Sequence, residues 1–320
     1  MASHFSILPS EIMQYLSLSQ DQQNKTPLRL LRLPHPRTGL PSLFLPTEGL
    51  PSTSKTLPSV LEIQSVSPVD QRSWIMGEDI IADGRMLVMT PIDPSFLLLP
   101  IMQATQAAKG TTSQFRTSDD LFDEAAGRLT ATDETEKVSA LKTKDILDFC
   151  SLSCISKSLK NICEVKEISD EIVVYRYSPA KVNEYMRKKV AHLSGSKALE
   201  ESRTTTRNLA KEGLMEDGQE ELLTLGKTRA CCDLVSQYLP PDLREALINS
   251  YDFKRLNKLV DANKEEAVAK AAAAAPTKGQ PKVAADKKRK SAKPSVGVEK
   301  LKKANTTGMA KLSSFFGKAN

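Results

Sequence analysis

Proline placement restricts this chain more than any other feature of its sequence. Twelve of its 18 prolines fall in the first 100 residues. Each one fixes φ and lacks a backbone donor, so a long helix cannot cross this stretch, and strands there are short or sit at edges and bulges. Between the prolines lie apolar runs at 28–33, 42–45, 60–66, 73–76 and 85–89. Bounded by Pro, Gly, Asn or Asp, they read as β-strands joined by irregular turns. Residues 1 to about 92 are expected to form a small all-β unit. Five short strands leave open edges, which a sheet must close, charge or lend to a partner chain.

The pattern changes at Thr90-Pro91-Ile92-Asp93-Pro94, where Asp93 fits an N-cap and Pro94 the first helical position. The helix that follows carries Phe96, Leu97, Leu98 and Leu99, with Pro100 expected to kink it and Lys109-Gly110 to end it. Residues 111–135 are polar and read as a loop. Helices are predicted over 143–150 and 152–162, and a strand over 171–177. Ser178-Pro179 opens another helix, in which Val182, Tyr185, Met186, Val190 and Leu193 share one face. Pro240-Pro241 divides two more helices, at about 220–238 and 241–250. Helix, helix, strand, helix, helix describes a compact helical module with a rudimentary wing. From residue 262 the composition turns to Ala, Lys and Glu, then to Lys, Pro, Gly and Ser, and 264–307 is expected to be disordered.

Charge follows the same division. Of 45 Lys+Arg and 39 Asp+Glu, residues 264–320 hold 14 and 4, a net of +10, which leaves 31 against 35, a net of −4, for residues 1–263. A basic tail is attached to a mildly acidic body, and the body is not a polyanion binder by composition.

Several functional classes are set aside by the residues themselves. The richest apolar segment, 92–102, is broken by Asp93, Pro94 and Pro100, so no membrane span is expected. The first residues lack a basic stretch followed by an apolar run, which predicts a soluble intracellular chain. Cys150, Cys154, Cys163, Cys231 and Cys232 are five, and reduced thiols are expected. Three of them could approach a metal, but no fourth ligand stands at a finger-like spacing, so no metal and no cofactor is predicted. Gly226-Lys227-Thr228 ends like a phosphate-binding loop, yet Glu221 stands where that motif needs its first glycine. The acidic pairs Asp119-Asp120, Asp123-Glu124 and Asp133-Glu134 fall in the predicted loop, and no nucleophile motif occurs, which points away from an enzyme.

Two tail motifs remain. Lys287, Lys288, Arg289 and Lys290 form a compact basic cluster suited to a nuclear-import receptor, or to non-specific phosphate contact, or to solvation alone. Near the end, Leu312 precedes Phe315 and Phe316 by three and four positions, so one helical turn gathers them into an apolar plug. This resembles the box that docks on the replicative sliding clamp, with Met309 where that box has Gln.

Taken together, these residues resemble the family of non-catalytic B subunits of eukaryotic ribonuclease H2, in a fungal version. The resemblance rests on Arg72-Ser73-Trp74-Ile75, on Thr90-Pro91-Ile92-Asp93-Pro94-Ser95-Phe96-Leu97-Leu98-Leu99, and on Tyr175-Arg176-Tyr177-Ser178 leading to Arg187-Lys188-Lys189-Val190. Gln237-Tyr238-Leu239-Pro240 and the terminal Leu312-Ser313-Ser314-Phe315-Phe316-Gly317 complete it. The resemblance implies an α+β fold: residues 1–105 as a β-rich unit that shares a triple barrel with the family's C subunit, 106–262 as a winged-helix-like domain, and 263–320 as a disordered basic tail.

It further implies a heterotrimer whose catalytic carboxylates lie in the A subunit. That complex acts on RNA–DNA hybrids and on single ribonucleotides in duplex DNA, in the nucleus. Trp74, Pro91, Asp93, Pro94, Phe96 and Leu97 become candidate assembly or core residues. A free-standing winged-helix DNA-binding protein is the alternative, opposed by the body's net negative charge.

Overall fold

The structure is a computed structural model that describes residues 5–10, 12–14, 29–48, 59–70, 72–106, 114–131, 141–169 and 172–274, the last four by backbone alone. The proline-bounded runs become β2 (Leu31–Pro34), β3 (Pro41–Pro46), β4 (Val60–Val66), β5 (Trp74–Met76) and β7 (Met86–Pro91). Two strands that the sequence pattern does not announce join them, β1 (Phe5–Ile7) and β6 (Asp79–Ile81). Both are three residues long, too short to show an alternating pattern.

Five strands form one sheet in the order β1-β7-β4-β3-β2, with β1 parallel to β7 and the rest antiparallel. β5 and β6 form a separate hairpin, turned by Gly77-Glu78, where Gly77 takes the positive φ (+63°) that a two-residue turn needs at its first position.

The helix after the sheet is α1 (Pro94–Ala104). Asp93 caps it by accepting from the Ser95 amide at 2.8 Å, and Pro94 opens it. It is buried on every side, through Leu97, Leu98, Leu99, Ile101 and Met102, as a helix at the centre of a core must be. It runs through Pro100 and ends at Thr105, short of Lys109-Gly110. The early stop has a physical cause: Arg128 donates to the carbonyls of Ala104 (2.7 Å) and Gln106 (3.3 Å), satisfying groups that another turn would have used.

Arg128 belongs to α2 (Ser118–Thr130), which lies where the sequence predicts a loop. Thr117 caps it, and its polar composition hides a narrow buried stripe of Leu121, Phe122, Ala125 and Ala126. Asp119, Asp120, Asp123 and Glu124 are thus helical, while Asp133-Glu134 lies outside the described residues.

α3 (Thr143–Cys150), α4 (Ser153–Ile162), β8 (Cys163–Glu167) and β9 (Val173–Tyr177) follow, and Arg116 bridges to Tyr175 as a third edge of the β8–β9 hairpin. Bridge, α2, α3, α4 and hairpin compose a winged helix. α5 (Pro179–Ser194) buries Val182, Met186 and Val190 on the expected face.

Two short helices, α6 (Lys197–Glu201) and α7 (Arg203–Lys211), precede α8 (Glu220–Ser236) and α9 (Pro241–Asn249). Gly226 sits mid-helix in α8, against Leu209 and Leu214, in no phosphate-binding loop. Cys231 and Cys232 are packed in the same helix, and burial pushes their thiols up to about 11 and about 12.

α10 (Lys254–Ala274) corrects the expectation of disorder from residue 264, since Phe253, Leu256 and Val260 anchor it and its Ala-rich second half continues the helix. Among the described residues no helix is long and apolar enough to cross a membrane, and no three metal-ligating side chains converge.

Residues 1–269 form one compact unit with a core running from the sheet into the helices, across residue 105. Leu31, Leu33, Phe44 and Val60 on one sheet face join α1 and the winged helix in that core.

Candidate assembly interface

The second sheet face is covered much less. Leu43, Ile63 and Met89 stand directly opposite one another across β3, β4 and β7, as do Leu45, Leu61 and Pro91 in the next row. Ile12 seals Leu45 and Leu61 into a small cluster, but Leu43 remains 36% exposed and Ile63 and Met89 half-buried. Cross-strand apolar rows are the unit by which a sheet is stabilised, and a partly exposed row is a surface on which further side chains can pack.

The β5–β6 hairpin is the other incomplete element. Ile75 and Ile80 are paired in register and 79% and 71% exposed, and Met76 beside them is exposed as well. Trp74 packs on Phe5 with ring centroids 4.9 Å apart. Its indole Nε1 is buried without a partner among the described residues. A cavity of about 390 Å³ lies at the hairpin's base, lined by Val66, Arg72, Trp74, Gly84 and Met86. Gly84 is required there, because a Cβ would come within 2.3 Å of the Arg72 carbonyl oxygen.

Opposite this face, polar contacts lock the sheet to the helices. Glu62 is 2% exposed in β4, accepts from the Tyr238 hydroxyl at 2.7 Å, and lies 3.5 Å from His35 Nε2. Tyr238 also packs on Phe96 and stacks on His35. Burial pushes the Glu62 carboxyl up, but hydrogen bonds from His35, Gln64 and Tyr238 outweigh it and hold the group below its ordinary value. Burial and then Glu62 push Tyr238 up to about 12.

Asp93 is a second junction. Besides capping α1 it accepts from the Tyr185 hydroxyl (2.6 Å) and pairs with Lys189 (2.5 Å), both on α5. Burial alone would raise its carboxyl, yet Lys189, Tyr185 and the Ser95 amide bring it below its ordinary value. Glu48, beyond β3, accepts from the Ser153 amide through both oxygens (3.1 and 2.9 Å) and so caps α4 from the sheet side, and Asn161 donates to Ser95 at 3.1 Å. Arg29 pairs with Asp145 at 2.9 Å and with Asp148.

The sequence-derived candidates thus separate. Asp93, Pro94, Phe96 (9% exposed) and Leu97 (fully buried) belong to the seam and core, Pro91 ends β7 opposite Leu61, and Trp74 anchors the exposed hairpin. Lys287, Lys288, Arg289, Lys290, Met309, Leu312, Phe315 and Phe316 lie outside the described residues.

Glu62, Glu48, Arg29 and His35 do not stand out in the sequence. The one legible signal among them is Glu62, a carboxylate on the same strand face as Val60.

The family model for the Ydr279p protein triple barrel domain matches residues 17–93. That for the winged helix-turn-helix domain of the Ydr279p protein family, described as an RNase H2 complex component, matches residues 96–248. The chain belongs to this family. The first match ends at Asp93 and the second opens at Phe96, so all but the first two residues of α1 fall in the winged-helix match.

The ribonuclease H2 B subunit of Xenopus tropicalis is 28% identical over 317 residues, covering 94% of this chain and 90% of its own. The B subunit of Schizosaccharomyces pombe is 36% identical over 86 residues, 27% of this chain and 26% of its own. That of Bos taurus is 25% identical over 248 residues, 76% and 69% of the two chains. The fold is accordingly α+β, a triple barrel domain followed by a winged helix, in a component of the RNase H2 complex.

Proposed function

We propose that the chain is the non-catalytic structural member of a heterotrimeric ribonuclease H2. Its half-covered sheet face and β5–β6 hairpin pack against β-strands of the C subunit to complete the triple barrel, which holds the catalytic A subunit. Through that complex the chain serves the hydrolysis of RNA in RNA–DNA hybrids and cutting at single ribonucleotides in duplex DNA.

The observation that carries this reading is the apolar row Leu43–Ile63–Met89, in register yet partly in water. A row of that kind is stabilised when another chain's side chains cover it. In the tail, Lys287–Lys290 serve nuclear import, and Leu312, Phe315 and Phe316, with Met309 at the head of the box, tether the complex to the sliding clamp. The free-standing DNA reader stands behind this reading, because Glu48 occupies the end of α4 that such a protein would push into the major groove.

Co-expression with the A and C subunits tests it. The expected result is one species of equal stoichiometry by native mass measurement, lost when Leu43 and Met89 are both replaced by Asp. A stable, monodisperse, nuclease-active monomer purified alone would overturn the reading.

A further inference from the structure

The outer face of α5 carries a pattern that the core does not use. Ala180, Asn183, Glu184, Arg187, Lys188 and Ala191 follow one another at short helical spacings and turn away from the buried Val182, Met186 and Val190. Together with Tyr251, which lies between α9 and α10, they line an open groove of about 500 Å³. The two alanines leave room along it between the longer side chains.

Two groups in the groove are incomplete. Arg187 is exposed with its guanidinium over the Tyr251 ring, 5.1 Å from the centroid, and among the described residues no carboxylate pairs with it. The carboxylates nearby are committed: Glu184 to Lys188 (2.7 Å) and Lys181 (3.7 Å), and Asp252 to the Lys254 amide (3.1 Å). Asn183 is the other, because its Oδ1 is buried and has no hydrogen-bond partner among the described residues. A buried acceptor of that kind calls for a donor. We propose that this groove binds an extended acidic peptide of a partner protein. A peptide carboxylate pairs with Arg187, a peptide backbone N–H donates to Asn183 Oδ1, and an aliphatic or aromatic side chain of the peptide packs on Tyr251.

The two incomplete groups select the occupant between them. Arg187 needs an anion, and a guanidinium already held over an aromatic ring offers its N–H fork to a carboxylate at little cost in ordering. A phosphate would suit Arg187 as well, but its oxygens only accept, and Asn183 Oδ1 would stay without a donor. A peptide supplies both, an N–H from its backbone and a carboxylate from a side chain. Arg beside Tyr is also the composition of an interface anchor. Lys181 and Lys188 add attraction for an acidic segment, since with Arg187 they outweigh the single charge of Glu184. The groove is built by this chain alone, so the inference stands apart from assembly with the A and C subunits.

A random dodecapeptide display library tests it. The library is first cleared on the full chain carrying both Arg187→Gln and Asn183→Ala, which keeps the basic tail, and the unbound fraction is then panned on the wild-type full chain. The expected result is enrichment of peptides that place a carboxylate near an aromatic or aliphatic residue. By fluorescence anisotropy, a dye-labelled copy of the most enriched peptide is expected to bind about tenfold more weakly to Arg187→Gln and several-fold more weakly to Asn183→Ala, with melting temperatures unchanged. N-methylation of the peptide at one backbone position should reproduce the Asn183→Ala loss in the wild type and add nothing in that variant.

Absence of enrichment after the clearing step would overturn the proposal, as would enriched peptides without carboxylates or equal binding by Arg187→Gln. A DNA duplex that binds the wild type and is lost by Arg187→Gln, with no peptide enriched, would also overturn it and assign the groove to phosphate.

Discussion

Glu62 and Asp93 carry charge into places where an unpaired carboxylate could not remain, and each does so by gathering donors from a different element. Removing one donor leaves a buried carboxylate short of one of its partners. Tyr238→Phe, which keeps the ring on Phe96 but deletes the bond to Glu62, is expected to cost about 1.5 to 3 kcal/mol in denaturant unfolding.

The two carboxyls also set a pH dependence. Both are held below their ordinary values of 4.5 and 3.8, so their contribution to stability is complete above those values and is lost as pH falls through the lower folded ones. Calorimetric melting temperature should therefore drop on acidification below about pH 4.5. Asp93→Asn should melt lower at neutral pH and lose less on acidification. An acid limb identical in the variant would count against Asp93 as a source. Leu97→Ala, by contrast, acts at all pH values, and its fully buried site predicts a loss of about 2 to 5 kcal/mol.

Among the elements, α1 and the β5–β6 hairpin behave in opposite ways. α1 is buried all round and fixes the sheet against the winged helix, so its contribution is to the stability of this chain. The hairpin has little of its own to bury: Ile75 and Ile80 face water in register, and a two-stranded ribbon is marginal unless something packs on it. Ile75→Ser with Ile80→Ser is expected to leave the melting temperature of the chain unchanged while reducing its co-purification with the C subunit. A lowered melting temperature with assembly intact would show that the hairpin serves this chain alone.

α2 shows why a helix can be illegible in its own sequence. Its four acidic residues within a 13-residue helix mask a core stripe of two large and two small side chains. Polar composition outweighs a short apolar period when the segment is read without its neighbours.

At the scale of the whole molecule, a mixed core joins sheet and helices, one sheet face is half open, and a basic segment follows the body. A body with an unfinished sheet face, followed in sequence by a short apolar motif, suits a protein that binds its partners through different segments. Phe315→Ala with Phe316→Ala is expected to abolish clamp capture in a pull-down and to leave assembly with the A and C subunits unchanged. Because so short a box offers few contacts, the native affinity is expected to be only micromolar, about −8 kcal/mol. Equal clamp capture by the variant would remove the box assignment.

Local sequence accounts for the proline-bounded strands, the Asp93-Pro94 start of α1, the Ser178-Pro179 start of α5 with its buried face, and the division of charge between body and tail. Each is local: a missing donor, a cap, a period of 3.6, a count. Long-range packing sets where α1 stops, that α2 is a helix, that α10 continues to Ala274, and that Tyr238 meets Glu62 and Ser153 meets Glu48. These depend on residues far apart in the chain, such as Arg128 on the α1 carbonyls or Tyr238 on a β4 carboxylate 176 positions away. No local window holds both partners of such a bond, so no local pattern could announce it.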